Sequence, residues 1–265
     1  MDFDAYEREL WAGRAGAYAG RFGRLTAHTA DALLDAAGVT GSSDVLDVGT
    51  GPGTIAAAAL ARGANVSAID ADPQMVETAA RDVPGLDVRV ATLPELPFAD
   101  AAFDAVVGNF VINHVAEPAD TLAELRRILR AAGRIALTCW PIPGEKAQSI
   151  VRDAIDAAGV PWPDDIPAPP FATHGEATAF HALVEAADFA EVVVDELVWG
   201  HVVDPEDWWV GPLAGVGSTG VVINRQDSAT IDRIKEAYDR LIADFAIGGG
   251  RVRLPARALL AHATR

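Results

Sequence analysis

The segment Val45-Leu46-Asp47-Val48-Gly49-Thr50-Gly51-Pro52-Gly53 constrains this chain more than any other. It reads as a buried strand that runs into three alternating glycines and then straight into an alanine-rich helix over residues 54–62. Glycines at a strand-to-helix turn allow positive φ and let a ligand approach the backbone closely. The helix N-terminus behind them offers unpaired N–H groups and a partial positive charge. A turn of this build suits an adenine nucleoside or nucleotide, and the residues around it decide which kind.

Two readings compete. Gly51-x-Gly53-x-x-Ala56, followed by Asp70, satisfies the dinucleotide fingerprint of a nicotinamide-dependent oxidoreductase. Asp47, two residues before the first glycine, favours a different ligand. A carboxylate at the end of the first strand is badly placed beside a pyrophosphate and well placed for a cationic amine. The whole run resembles motif I of class I S-adenosylmethionine (SAM)-dependent methyltransferases, hydrophobic-L-D-hydrophobic-G-x-G-x-G. That resemblance implies that Asp47 helps to hold the methionine end of SAM, while Gly49, Thr50, Gly51 and Gly53 pass beneath the nucleoside.

Further motifs follow in the order the resemblance requires. Residues 65–70 read as a second strand ending in Asp70, whose carboxylate supplies two acceptors for a ribose diol, with Ala71 beside it. Asp72 then caps a helix with Pro73 at its first position, and Met75 resembles the family's residue beside the adenine. Leu96-Pro97-Phe98-Ala99-Asp100-Ala101-Ala102-Phe103-Asp104-Ala105-Val106-Val107 is similar to the family's LPF-x-D-x-x-FD stretch. A helix over 119–129, the turn Ala131-Ala132-Gly133 and a strand over 134–139 look like its "LR-x-G-G" turn and fifth strand. Asn109 and His114 follow strand four at the family's cofactor edge. One departure concerns the acid that often accepts from the adenine amino group: Thr92 stands there, so its hydroxyl, or the Leu93 backbone, takes that role. The resembling stretch spans roughly residues 45–140. It implies a Rossmann-like methyltransferase fold, a mostly parallel seven-stranded sheet flanked by helices, with SAM as cofactor.

Composition narrows the partners. A net charge of −17 argues against nucleic acid, which demands a basic face, and against anionic membranes. No run is long and apolar enough to span a membrane, and the acidic N-terminus lacks a secretory pattern. The expectation is a cytoplasmic protein, monomer or homodimer, acting on a small molecule. Cys139 is the only cysteine, so no intrachain disulfide can form, and on strand five it reads as buried filler. No His, Cys or acidic residues show metal-ligand spacing.

The organisation reads as a single domain over 1–265 in three parts. Residues 1–40 form an N-terminal helical lid of one or two helices plus a helix ending near Gly38. Residues 41–139 are the SAM-binding half, alternating β and α and hence a parallel sheet. Residues 140–265 are the substrate half, with cap insertions at 140–172 and 198–254. In the first, seven prolines frame a helix over 145–158. A helix over 174–187 and a sixth strand over 190–197 lead to the second. That insertion carries a short helix near 204–209, a glycine-rich stretch over 211–220 giving the cover freedom to move, and a helix over 228–245. A last strand over 254–263 follows. An insertion this long rarely survives as idle loop. All six tryptophans (Trp11, Trp140, Trp162, Trp199, Trp208, Trp209) fall in the lid or after residue 139. As a group they point to a mostly apolar pocket over the carboxyl ends of the strands.

Methyl transfer from a sulfonium requires the donor and acceptor to be collinear and dry, plus at most one base. The family therefore has no universal catalytic residue, and the candidates here are His201, His174, His28 and His114. His181 and His262 read as structural. The reading that follows is SAM-dependent methyl transfer to oxygen, nitrogen or carbon of a small, largely apolar organic acceptor. The alternative is a protein of the same fold that binds SAM but acts as a cyclase or in another non-methylating role.

Overall fold

In the computed structural model, which describes residues 3–265, four short helices open the chain: α1 (Phe3–Trp11), α2 (Ala15–Gly20), α3 (Phe22–Thr26) and α4 (Ala30–Ala36). The nucleotide-binding half then alternates. Strand β1 (Asp44–Val48), helix α5 (Thr54–Ala61), β2 (Asn65–Asp70), α6 (Pro73–Asp82), β3 (Asp87–Val90), β4 (Phe103–Asn109), α7 (Pro118–Ile128) and β5 (Leu129–Cys139) follow in turn. Next come α8 (Lys146–Ala157), α9 (Ala177–Ala186) and the long strand β6 (Ala190–Val203). The final block holds α10 (Pro205–Leu213), α11 (Gly217–Asn224), α12 (Ser228–Ile242), the short β7 (Ala246–Gly248) and β8 (Arg251–Thr264).

The strands lie in the order β3-β2-β1-β4-β5-β8-β6, with β7 paired to β8 off this path. Strands β1 to β5 run parallel, while β8 lies antiparallel to both β5 and β6. This is the expected Rossmann-like, mostly parallel sheet of seven strands, with β7 as a three-residue eighth. β1 is its middle. Val45, Leu46 and Val48 are shielded on both faces, which is why this strand reads as a continuous apolar run rather than an alternating one. After β1 the chain winds outward to β3, then returns across β1 to β4. The switch point therefore opens between the carboxyl ends of β1 and β4, where ligands bind in sheets of this kind.

Several boundaries differ from the sequence expectation. Residues 3–40 form four α-helices because Gly13 and the Gly20–Arg21 break end the early turns. His174 ends a 3-10 turn, Pro170–His174, and α9 starts three residues later. β6 runs six residues beyond the expected Leu197, because Val198–Val203 keep pairing with β8 from Arg257 back to Val252. The material between the last strands is thus 204–250 rather than 198–254. Residues 211–220 are not a loose loop. They end α10 and open α11, where a Cβ on Gly220 would meet the Gly215 backbone at 2.5 Å, so glycine serves close packing there.

Local capping explains where the helices begin. The Asp72, Asp204 and Asp227 carboxylates accept from backbone N–H groups two or three residues on, at the starts of α6, α10 and α12. Pro73, Pro118 and Pro205 occupy first-turn positions that need no N–H donor. One apolar cluster lies under β4, β5, α7 and α9, and a second under β1, α4 and α5. A third joins α8, α10, α11 and α12 to the outer parts of β6 and β8. Among the described residues no helix is long and apolar enough to cross a membrane.

Gly53 separates packing from backbone strain in a testable way. It sits at φ +89° at the start of α5, and a Cβ there would meet Val83 Cγ2 at 2.8 Å and Ala79 Cβ at 3.3 Å. Gly85 has a similar φ of +84° but nothing within 4 Å. Both alanine replacements carry the left-handed penalty of about 1 kcal/mol, and Gly53→Ala adds an overpacking cost of about 1–3 kcal/mol. Urea denaturation should therefore rank Gly53→Ala clearly below Gly85→Ala. Equal midpoints would show that the α5–α6 approach is not tight.

Candidate cofactor and substrate site

A single cavity of about 1160 Å³ spans the carboxyl ends of the strands. Most one-ligand pockets measure about 300–1,000 Å³, so this one has room for two ligands side by side. One half is built by the turns after β1, β2 and β3, and the other by aromatic residues from α2, α3, α10 and the segments after β4 and β5.

The glycine turn is held by its own geometry. Gly49 has φ +65°, and a Cβ there would lie 2.6 Å from Val111 Cγ2, so the β1 and β4 ends can approach only with glycine at this position. Gly51 N–H donates to Asp70 Oδ2 at 2.8 Å, and Asp72 N–H donates to Asp70 Oδ1 at 2.9 Å. Asp70 thus fastens the glycine turn to the end of β2 while facing the cavity. Each oxygen keeps a free lone pair for a further donor. Burial holds the Asp70 carboxyl above the usual carboxylate range, against the pull of those backbone donors.

Asp47 lies one layer beneath the lining. Its Oδ2 accepts from Thr50 Oγ1 at 2.7 Å, while Oδ1 is buried without a partner. Burial pushes its carboxyl up to about 7, offset in part by the Thr50 hydroxyl and the Ala56 backbone and reinforced by Asp70. A buried orphan acceptor of this kind calls for a cationic or N–H donor from outside the chain.

Asn109, at the end of β4, is tied down through both of its amide atoms. Its Oδ1 accepts from Thr29 Oγ1 at 2.6 Å and Thr138 Oγ1 at 2.7 Å, and its Nδ2 donates to the Thr26 carbonyl at 3.1 Å. Phe110 follows in the left-handed region (φ 59°) and stacks on Trp140, with ring centroids 3.8 Å apart. Phe22 packs edge-on to Trp140 and parallel to Trp208, each at 5.8 Å. These rings form an apolar wall of two stacked pairs set edge to face.

Of the expected cofactor residues, Gly49, Gly51, Asp70, Ala71, Met75, Thr92, Leu93, Asn109 and His114 line the cavity. Asp47, Thr50 and Gly53 support it from behind. Trp11, Trp140, Trp162 and Trp208 line it, whereas Trp199 and Trp209 do not. Trp209 packs on Tyr238 within the third apolar cluster. Of the four candidate bases only His114 lines the cavity. His28 is exposed and stacks on Trp199, and His174 lies against Phe171. His201 is buried with neither ring nitrogen partnered. Burial, then the positive neighbours His28, Arg24 and Arg251, push it down to about 4. Tyr18 and Phe22, on the apolar faces of the N-terminal helices, also line the cavity, as does Glu7, which was not singled out in the sequence. Glu7 is an acid on a helix surface far from residue 114 in the chain, and nothing local marks it. Among the described residues no group of three or more His, Cys, Asp or Glu is placed to hold a metal ion.

An open, mostly parallel α/β sheet with a glycine turn at its switch point defines a nucleotide-binding domain of the Rossmann-like kind. Residues 46–137 match the family model described as a methyltransferase domain. A demethylmenaquinone methyltransferase of Clavibacter sepedonicus is 41% identical over 103 residues, which is 37% of this chain and 42% of that protein. The chain matches only a third to a half of the length of the first curated relatives. Among solved structures, a candidate methyltransferase from Bacillus halodurans superposes with a TM-score of 0.58 at 19% identity, over 89% of this chain and 98% of that one. A (4+2)-cyclase gives 0.51 at 16% identity, over 89% and 80%. At these identities both show the fold alone.

Asp47 gives the domain a pH signature. Its carboxyl sits near 7 in the folded state and near the ordinary 3.9 when unfolded, so between those values the folded state holds the extra proton. Its contribution to stability is complete below about pH 4 and is lost as pH rises through about 7. The full swing is on the order of 4 kcal/mol. Relative to Asp47→Asn, which cannot ionise, the wild-type urea midpoint should fall between pH 5 and 8. Parallel pH profiles would show that Asp47 titrates normally.

Proposed function

We propose that this chain binds SAM and transfers its methyl group to a small, largely apolar organic acceptor. The supporting observation is the cavity itself, which joins the glycine turn and Asp70 on one side to an aromatic wall on the other. SAM, when bound, supplies an electrophilic methyl group on a sulfonium. The residues present suit it: Asp47 offers an orphan acceptor near the methionine end, Gly49, Gly51 and Gly53 leave the backbone open, and Asp70 offers lone pairs to the ribose. Ala71, Met75, Thr92 and Leu93 surround the adenine position, and Thr50, Asn109 and His114 complete the cofactor side. The acceptor then lies against Phe22, Phe110, Trp140 and Trp208, and positioning in a dry site supplies most of the acceleration. The likeness to a demethylmenaquinone methyltransferase favours an aromatic acceptor. Transfer from labelled SAM against a panel of aromatic and aliphatic metabolites tests the reading. Tight SAM binding with no transfer to any acceptor would favour a cyclase-like role instead.

Two consequences are measurable by calorimetry. Asp70→Ala should weaken SAM by tenfold or more, the scale of a charged hydrogen-bonding partner worth about 1.5–3 kcal/mol. Asp70 also holds the glycine turn, so Asp70→Asn, which keeps one acceptor, should lie between wild type and alanine. Unchanged affinity in a folded Asp70→Ala protein sinks the ribose assignment. Separately, an ammonium placed near Asp47 favours its ionised form, so SAM binding should release a proton near pH 6.5, and affinity should rise with pH through about 7. Asp47→Asn should abolish the proton release. Its persistence would place the amine elsewhere.

A further inference from the structure

Helix α1 is fastened to the turn after β4 by two acids. Asp4 Oδ1 accepts from the Ala116 N–H at 3.1 Å, and Glu7 Oε2 lies 2.8 Å from His114 Nδ1. Trp11 Nε1 donates to the same Glu7 oxygen at 2.9 Å and packs edge-on to the His114 ring at 5.4 Å. The Glu7 side chain is only 12% exposed and that of His114 36% exposed, and both line the cavity. A carboxylate can only accept, so Nδ1 carries the proton and Nε2 of the neutral ring bears a free lone pair. Nε2 has no partner among the described residues and is not one of the buried unpartnered atoms.

This is the arrangement of a general base with its orienting acid, set at the switch point between the glycine turn and the aromatic wall. We infer that His114 accepts a proton from the acceptor, that Glu7 positions it, and that the acceptor is an aromatic alcohol. The inference rests on the proposed methyl transfer. The hydroxyl proton passes to His114 Nε2, the freed oxygen pair forms the bond to the methyl carbon, and the sulfur keeps the electrons of the carbon–sulfur bond. The products are the methyl ether, S-adenosylhomocysteine and an imidazolium that later releases its proton to solvent. The chemistry of the base selects the acceptor. A phenol hydroxyl is acidic enough to pass its proton to an imidazole as the oxygen attacks, whereas an aliphatic alcohol, closer in acidity to water, is not. The stacked Phe110 and Trp140 rings and the parallel Phe22–Trp208 pair match a flat ring. Because Glu7 belongs to α1, the base is oriented only while that helix lies over the cavity.

The test uses the full chain with 1-naphthol and its saturated counterpart 1-decalol as probes. Calorimetry with SAM comes first, because a wild-type protein that does not bind SAM refutes the proposed function rather than the dyad. Nitrogen-15 NMR of the imidazole needs no acceptor: wild-type His114 should be protonated on Nδ1, and Glu7→Gln, whose amide can donate to Nδ1, should shift the proton to Nε2. With labelled SAM, wild type should methylate 1-naphthol and not 1-decalol. His114→Ala should lower kcat about 100-fold or more at saturating SAM, and added imidazole should restore part of the rate. Glu7→Gln should lower kcat while KM for 1-naphthol stays within about threefold, a split that loss of packing alone does not give. The inference is overturned by an Nε2-protonated wild-type ring, by one tautomer in both proteins, or by an undiminished kcat in His114→Ala. Methylation of 1-decalol at a comparable rate, or of neither probe by a SAM-binding wild type, overturns the acceptor class.

Discussion

The Asn109 side chain is the joint on which the ligand cavity depends. Strand β4 delivers it to the switch point, where its oxygen takes two hydroxyl donors and its nitrogen reaches a helical carbonyl. One amide thereby ties the N-terminal helices to the ends of β4 and β5. Thr138 extends the knot by accepting from the Phe110 N–H, which steadies the left-handed residue that presents the aromatic wall. Buried polar groups satisfied in this way specify one arrangement, because each alternative leaves a donor or acceptor without a partner. The four short opening helices, none long enough to be stable alone, gain their place from such contacts rather than from intrinsic helicity.

Electrostatics give the two halves of the cavity different characters. On the nucleoside side two carboxyl groups, Asp47 and Asp70, are held up chiefly by burial, with Asp70 raising Asp47 further and Asp72 raising Asp70. This side of the cavity therefore calls for positive charge and hydrogen-bond donors, the buried Asp47 Oδ1 above all. On the opposite side the wall is apolar, and among its charged neighbours Arg152 spreads over the Trp162 ring at 4.1 Å, while Arg21 is paired with Asp207. A large net negative charge is thus compatible with a site that favours a cationic ligand and a neutral acceptor.

The nucleotide-binding half was legible in the sequence because its constraints are local. The glycines, the acid that ends β2 and the proline-started helices all act within a few residues of one another. The β1 and β2 boundaries agree with the sequence reading to within a residue, whereas β5 starts five residues before the expected Arg134, because Leu129 already pairs with Phe103 and the Ala131-Ala132-Gly133 turn is taken up as a register shift within the strand. The lid and the far half were less legible because their partners lie far apart in the chain. Glu7 meets His114 across 107 residues, and Tyr6 meets Ser218 across 212. The glycines of 211–220 read as looseness because local sequence cannot tell a flexible turn from two helices in close contact. The extra length of β6 and β8 was hidden for a related reason. Pairing continued past the point where alternation faded, carried by the partner strand rather than by side-chain pattern.

That extra length has a mechanical meaning. β8 pairs with β5 only from Leu259 onward, whereas its pairing with β6 continues back to Val252. From Val198 to Val203, β6 and its partner therefore run on beyond β5 as a two-stranded ribbon packed on α8 and joined at its tip by β7, and α10, α11 and α12 connect its two strands at that tip. Two-stranded ribbons twist more strongly than wider sheets, so the placement of α10–α12 over the sheet follows the coil of these two strands. Trp208 rides on the end of the ribbon and the Phe110 wall is fixed to its root. The gap between them, and so the thickness of ring that can slide in, is set by torsion in a pair of strands.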